Sequence, residues 1–382
     1  MNPALRRKID FLIGVPAVYI LGAFSKLAMR GRDPGLNSNP KKILVVKLAA
    51  IGDTVVLIPV LKKLRERYPG ARICWLVSGI NENIARLVPY IDDLIVIKEL
   101  RLLPLLKLIM ALRKEKFDIG IDFEQWSRTT ALLLYFAGIP VRLGFNTKGQ
   151  CRSKLFNYSF KKSIDRHELL NFYGIISVLG ANKPALELEL WETPEAAGRV
   201  DALFESKTGG SEKTIVIFHP GCGWDGKPRE WPKESYRKLA DALKNEFGDG
   251  LCLFITGGKE DEPKVMELSG ALPYASGLAG ALNLLEFISL VKRAGLVVSG
   301  NTSIVHIASA WKTPQVVLHG PTREALWGPI NPNAVVVKTK CEMCPVLDLG
   351  FEYHTRTDEC MRKIDFDEVL TACRKLLALK IH

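Results

Sequence analysis

The sequence lacks a hydrophobic run long enough to cross a bilayer. The uncharged stretch Phe11–Phe24 (FLIGVPAVYILGAF) covers, as a helix, about 21 Å against a hydrocarbon core of roughly 30 Å. It also lacks a convincing Ala-x-Ala site after that stretch, which argues against a cleaved secretory leader. Cysteine is sparse and scattered, at positions 74, 151, 222, 252, 341, 344, 360 and 373, which excludes a small disulfide-stapled scaffold and points to a reducing compartment. No Lys/Arg block interleaves with aromatics, and neither helix-turn-helix nor zinc-finger spacing occurs, so nucleic acid is not an expected partner. No short-period repeat is present, which removes the solenoid folds.

What is there fits two ordinary soluble domains in 382 residues, 47% hydrophobic and 25% charged. With 53 Lys+Arg against 41 Asp+Glu the formal charge is +12, which suits a phosphorylated substrate or an acidic membrane surface. Residues 1–40 stand apart. Arg6, Arg7 and Lys8 precede the apolar stretch, Lys26, Arg30 and Arg32 follow it, and Pro16 should kink it. This pattern suggests a monotopic or re-entrant segment with its basic flanks on anionic headgroups; a helix packed on the protein surface is the plainer alternative.

Residues 41–185 alternate strands and helices. Strands are expected at 41–47, 73–77, 94–97 and 119–122, and helices at 55–68, 83–87, 102–115 and 129–137. From Arg142 to Arg166 the pattern loosens into a basic loop holding Arg142, Lys148 and Arg152. Residues 186–212 read as a linker, broken by Pro194 and Gly209-Gly210. A second alternation fills 213–382. The fold class is therefore α/β, with two domains facing a central cleft.

Two turns carry chemistry. In Gly295–Pro321 a buried strand runs into Ser-Gly-Asn-Thr-Ser and then a helix from about Ile304. Thr302 or Ser303 can cap that helix, and its first N–H groups and dipole make a seat for a phosphate. In the first domain Gly52 relaxes the backbone after a strand, and Asp53 follows. A carboxylate there can act as a general base or simply cap the next helix.

Several segments together resemble family 9 glycosyltransferases, the heptosyltransferases of lipopolysaccharide core assembly. They are KLAAIGDTVVLIPVLKKLRERYP, HPGCGWDGKPREWPKESY, FITGGKED, SGLAGALNLLEF and VVSGNTSIVHIASAWKTPQVVLHGPT, in that order. The resemblance implies a GT-B fold and inverting sugar transfer without metal or cofactor. It puts Asp53 on the catalytic base. It assigns the nucleotide-sugar to Gly52, Lys227, Arg229, Glu260, Asp261, Thr302, Ser303 and His306. Arg229 stands where relatives have Lys, and Arg142, Lys148 and Arg152 are the cations expected near the acceptor. The implied partners are a nucleotide-diphosphate sugar, ADP-heptose first among them, and an anionic lipid-linked glycan at the cytoplasmic membrane face. Relatives usually read Asn-Asp-Ser/Thr-Gly at the phosphate turn; here it is Asn301-Thr302-Ser303-Ile304. The missing carboxylate loosens the tie to heptose and admits an alternative, a non-catalytic sugar-nucleotide or lipid-glycan binding protein.

Cys341-x-x-Cys344, with His354 and Cys360 downstream, offers zinc ligands by type. The spacing matches no standard finger, so a structural loop is the favoured expectation.

Overall fold

The computed structural model describes residues 8, 10–28, 35–36, 39–99, 101–209, 211–223, 226–348, 352–355 and 357–381. The chain divides into two compact units, Met1–Ala185 and Leu186–His382. The first holds β1 (Lys42–Val46), β2 (Arg72–Ser78), β3 (Asp93–Ile97), β4 (Ile119–Asp122), β5 (Val141–Asn146) and β6 (Tyr158–Lys161). They form a parallel sheet in the order β3-β2-β1-β4-β5-β6.

The second unit repeats the plan with β7 (Thr214–His219), β8 (Leu251–Ile255), β9 (Ala275–Gly277), β10 (Leu296–Gly300), β11 (Gln315–His319) and β12 (Ala334–Lys338). Its parallel order is β12-β11-β10-β7-β8-β9. In each sheet the winding reverses once, between β1 and β4 and between β7 and β10. The carboxyl ends of strands at such a reversal leave the crevice where α/β proteins bind ligands.

Central strands become strands because both faces are covered. In β1, Ile43, Leu44, Val45 and Val46 are fully buried, a continuous apolar run rather than an alternating one. β10 and β11 are buried along their whole length. Helix Leu284–Arg293 shows the local logic of the crossovers. Asn283 Oδ1 accepts the N–H groups of Leu285 and Glu286 at 2.9 and 3.0 Å, and Glu286 answers to the Asn283 N–H at 2.9 Å. That capping box fixes where the helix starts.

Three expectations are corrected. The supposed basic loop 142–166 contains most of β5 and all of β6, the last two strands at one side of the first sheet. Arg142 and Asn146 sit within β5, so strand pairing overrides their polarity. The supposed linker 186–212 contains helix Pro194–Thr208, with Thr193 Oγ1 accepting the Ala196 N–H at 3.2 Å and Gly209 at φ 60° closing it. Its neighbour Arg293 donates to Asp201 at 2.6 Å and Glu192 at 2.9 Å, so the segment is bound into the second unit.

The third concerns the N-terminal segment, which is not separate from the first unit. Helix Gly14–Ala28 follows a turn at Ile13, close to Leu12, whose carbonyl Pro16 cannot serve. Val18 on this helix is fully buried, and Gly22 lies against Lys154. Upstream, buried Asp10 accepts from the Arg128 and Thr129 N–H groups at 2.9 and 3.1 Å and pairs with Arg128 Nη1 at 2.9 Å. Asp10 thus satisfies the first turn of helix Arg128–Phe136 from a distant part of the chain. The other face, with Phe11, Leu12, Ile13, Tyr19, Ile20 and Phe24, is exposed. Arg6, Arg7, Arg30 and Arg32 lie outside the described residues. No described helix is long and apolar enough to cross a membrane.

Candidate active site

At the switch point of the first sheet, the chain leaves β1 through Lys47 and turns into helix Ile51–Arg67. Asn81 holds that turn, its Nδ2 donating to the Lys47 carbonyl at 2.9 Å and to Thr54 Oγ1 at 3.2 Å. The helix starts at Ala50 without any side-chain cap. Asp53 lies in its first turn, and its carboxylate instead meets Lys47 Nζ at 2.7 Å. Gly52 beside it is buried. From β4 comes Glu124, whose Oε1 accepts the N–H groups of Leu48 and Ala49 at 2.7 and 3.2 Å. Its Oε2 stands 3.8 Å from Lys47 Nζ.

Lys47 is buried, and burial is the largest influence on it, working to lower its pKa. The charges of Asp53 and Glu124 outweigh that and hold it above the ordinary lysine value. Glu168, also buried, is raised chiefly by desolvation; Lys162 at 3.0 Å opposes this, and the charge of Asp53 adds to it. Gln125 Nε2 and Asn171 Nδ2 donate to Glu168 at 2.6 and 3.1 Å. Around Asp53 there is therefore a fixed array of carboxylates and lysines, and Asp53 keeps 20% of its side chain open to solvent. A carboxylate oriented in this way can accept a proton from a hydroxyl.

The three cations expected near the acceptor differ in fate. Arg152 is fully buried and paired with Asp122, and Arg142 is buried with Nε and Nη1 donating to the Leu155 and Ile139 carbonyls at 2.7 and 2.5 Å. Both guanidiniums satisfy interior groups of the first unit, so neither is disposed to meet an acceptor. Lys148 alone is exposed.

The second switch point gathers the turns after β7 and β10. Gly300, ending β10, lies against the Arg229 carbonyl, where a side chain would stand only 2.9 Å from that oxygen. Arg229 closes the short turn Lys227–Arg229, with Nη2 donating to the Cys222 carbonyl at 2.9 Å, while Lys227 is exposed. Next along the chain, Thr302 occupies the N-cap of helix Ser303–Ala310. The expectation that its side chain caps the helix fails: no side-chain cap bond forms, and Thr302 Oγ1 is buried without a hydrogen-bond partner among the described residues. An uncapped helix start, two residues after the Gly300 that packs on Arg229, is a place for an anion. His306 is buried one turn on, its ring 6.1 Å from that of Trp327.

After β8, the two acidic residues part. Asp261 is buried, and a side chain on Gly221 would collide with its carboxylate. Its Oδ2 accepts the Gly258 N–H at 3.2 Å, and Lys264 stands 3.5 Å away. Glu260 is exposed between the loops, near Gly258 and Gly223. Asp261 thus supports the loop, and Glu260 keeps its carboxylate exposed.

Sequence reasoning missed several side chains here. Asn301 Nδ2 reaches Thr322 Oγ1 at 3.1 Å, the Trp327 carbonyl at 3.3 Å and the His319 ring at 3.2 Å. His219 at the end of β7 meets Thr256 Oγ1 at 2.9 Å. Burial drives both histidines down to a pKa of about 4. Asp122, Glu124, Glu168 and Lys47 were likewise unassigned. Lys47, Asp122 and Glu124 lie at or just past strand ends, which is the one signal the sequence gives for them, and Glu168 opens a helix.

The family model described as glycosyltransferase family 9 (heptosyltransferase) matches residues 105–348. Lipooligosaccharide heptosyltransferase 2 of Haemophilus influenzae is 26% identical over 312 residues, spanning 78% of this chain and 88% of its own. Among solved structures, the E. coli ADP-heptose lps heptosyltransferase II superposes with a TM-score of 0.72 at 23% identity, covering 89% of this chain and all (100%) of that one. A family 9 glycosyl transferase from Veillonella parvula reaches 0.75 at 20% identity, covering 91% of this chain and 100% of its own. At such identities the structural likeness speaks for the fold, and the fold is GT-B.

Proposed function

This chain belongs to glycosyltransferase family 9, and from that premise we propose that it carries a heptose-type sugar from a nucleotide diphosphate to a lipopolysaccharide core or related lipid-linked glycan, with inversion and without a divalent metal. ADP-heptose is the donor of choice, since the similar E. coli structure is described as an ADP-heptose enzyme. Asp53 takes the proton from the acceptor hydroxyl while that oxygen attacks the anomeric carbon from the face opposite the diphosphate. The bond to the diphosphate breaks, and its growing charge is met by the N–H groups at the start of helix Ser303–Ala310, by Arg229 and by Lys227. Glu260 takes the ribose hydroxyls.

The observation that carries the reading is the carboxylate of Asp53, fixed by Lys47 at 2.7 Å and not engaged in capping its helix. The test is transfer from ADP-heptose, GDP-sugars and UDP-sugars to a core acceptor, without Mg²⁺ or Mn²⁺. Product of inverted anomeric configuration is expected with an ADP-sugar. Tight binding of the sugar nucleotide with no transfer to any acceptor would favour a binding protein instead.

The same reading has the enzyme work at the inner leaflet as a peripheral protein. Its support is an apolar surface built from two helices that both lie beside helix Arg128–Phe136. One is Gly14–Ala28, with Tyr19, Ile20 and Phe24 exposed. The other is Leu102–Glu115, in which Leu112 is the buried residue and Leu102, Leu103, Leu106 and Met110 are exposed. Lys107, Arg113 and Lys114 are exposed on the second helix itself, a combination suited to anionic headgroups.

A further inference from the structure

The sugar-transfer reading makes no use of the cysteines at the C-terminal side of the second unit. Cys341 follows β12, and Cys344 turns back on it with its N–H donating to the Cys341 carbonyl at 3.2 Å. Cys360 arrives 16 residues after Cys344 on the short helix Glu359–Arg362. All three sulfurs lie within 4.8 Å of one another. Among the described residues this is the one group of Cys, His, Asp or Glu side chains gathered closely enough to hold an ion. Cys341 and Cys360 are buried, and Val346 completes a small apolar pocket around them.

Cys344 and Cys360 form a disulfide, which accounts for two of the sulfurs. It leaves the third unexplained, since Cys341 Sγ stands only 3.8 Å from Cys360 Sγ. Thiolates bound tetrahedrally at about 2.3 Å from a zinc-like ion are themselves about 3.8 Å apart. The Cys341–Cys360 separation is thus that of two ligands sharing one centre. The remaining cysteines contrast with this group. Cys74 and Cys222 are isolated and buried, their thiols pushed up to about 11 and about 12, mainly by desolvation. Such thiols behave as small apolar side chains.

The cluster also sits where a fixed clip has mechanical value. The Val346 and Leu347 N–H groups both donate to the Pro321 carbonyl at 3.0 Å, beyond β11. Met361, next to Cys360, packs against Gly320 and near Gly300, the ends of β11 and β10. The helix bearing Cys360 lies beside the Lys227–Arg229 turn. Tying residues 341, 344 and 360 to one point fastens this layer over the ends of the donor-side strands.

We propose that Cys341, Cys344 and Cys360 in their thiolate forms bind one borderline-soft metal ion, zinc or iron, as a structural clip. The consequence for donor binding rests on the transfer reading; the metal assignment does not. The test uses full-length protein purified without oxygen and kept in a non-chelating phosphine reductant. Elemental analysis should find about one zinc or iron per chain. Cys341→Ser and Cys360→Ser should each bring this below about a tenth, while Cys252→Ala retains it. Should the serine variants fail to fold, Co²⁺ exchanged into the wild-type chain should give the strong absorption of tetrahedral thiolate–cobalt, and stripping the metal should lower the melting temperature until metal is restored. A reduced, folded wild-type chain with neither zinc nor iron and no cobalt–thiolate absorption would overturn the assignment. Metal content is read without nucleotide or acceptor, so its outcome is independent of any transfer.

Discussion

Lys47 Nζ and Asp53 Oδ2 lie 2.7 Å apart across the turn that joins the first strand to its helix. The lysine is almost wholly enclosed and the carboxylate is not, with 2% and 20% of their side chains exposed. The lysine therefore acts as a fixed counter-charge, and the carboxylate is the partner that can reach a substrate.

Replacing Asp53 with Asn should lower turnover by about 10²–10⁴-fold and leave nucleotide affinity nearly unchanged. Turnover within a few-fold of wild type, measured with saturating donor and acceptor, would return Asp53 to a supporting role in its helix.

Removing the counter-charge is the companion test. Lys47→Met leaves Asp53 and Glu124 without the cation that stands 2.7 and 3.8 Å from them and removes the contact that orients Asp53. Turnover should fall by about tenfold or more, since a general base must be held in place to act, while nucleotide affinity stays nearly unchanged. Unchanged turnover in a folded variant would mean that the lysine only fills space.

Arg229→Ala should weaken nucleotide-diphosphate binding by about 1.5–3 kcal/mol, the usual worth of a hydrogen bond to a charged group. Lys227→Ala, at an exposed side chain, should cost less. Calorimetry with ADP separates them, and equal, negligible losses would remove this turn from the donor site.

The buried histidines set an acid limit. His219 and His319 have folded pKa values of about 4, depressed from 6.5 mainly by burial. A depressed value means that the neutral ring is favoured in the fold. Its contribution is complete above the unfolded pKa and disappears as pH falls through the window between 6.5 and 4. At pH 5 each would then have surrendered about 2 kcal/mol relative to neutral pH. Melting of the second unit should drop steeply over that window, and less steeply in His219→Gln. Asp261 and Lys264 beside His219, and Glu324 and Lys338 beside His319, act in opposite directions and leave burial dominant.

Much of the fold was legible because its strands are short apolar runs between Gly- and Asp-bearing turns. The strand at 119–122 and the helix at 102–115 stand at the expected residues. What failed was polarity used as a sign of loop. Arg142 belongs to a strand because its guanidinium finds carbonyls to satisfy it, and such partners are not visible in sequence. The helix at 194–208 was hidden by its own punctuation, since Pro194 and Gly209 mark its two ends as naturally as they mark a linker. At the candidate site, Asp53 and Arg229 are nameable from sequence as candidates, whereas Glu124 and Asn301 enter through contacts between distant segments.

Membrane contact is best tested without deleting the N-terminal segment. Removal would strip Asp10 from buried Arg128, and an orphaned buried charge costs about 3–5 kcal/mol. Substituting Ser at exposed Ile20 and Phe24, or Glu at exposed Leu103 and Met110, leaves that pair intact. Each set should reduce co-sedimentation with anionic vesicles and leave ADP affinity as it was. Unchanged sedimentation of the combined variant would show that the apolar face has another purpose.

The bond between Asp10 and Arg128 bears on geometry as well as stability. A leader joined to its domain by loose chain would let the body swing and tumble above whatever surface the leader gripped. Here the leading helix is bolted to the layer that covers the first sheet, so a surface gripping it grips the whole unit. The unit could then turn only about the surface normal, and Asp53 would travel over the lipid at one height and one tilt, like a stylus on a fixed arm.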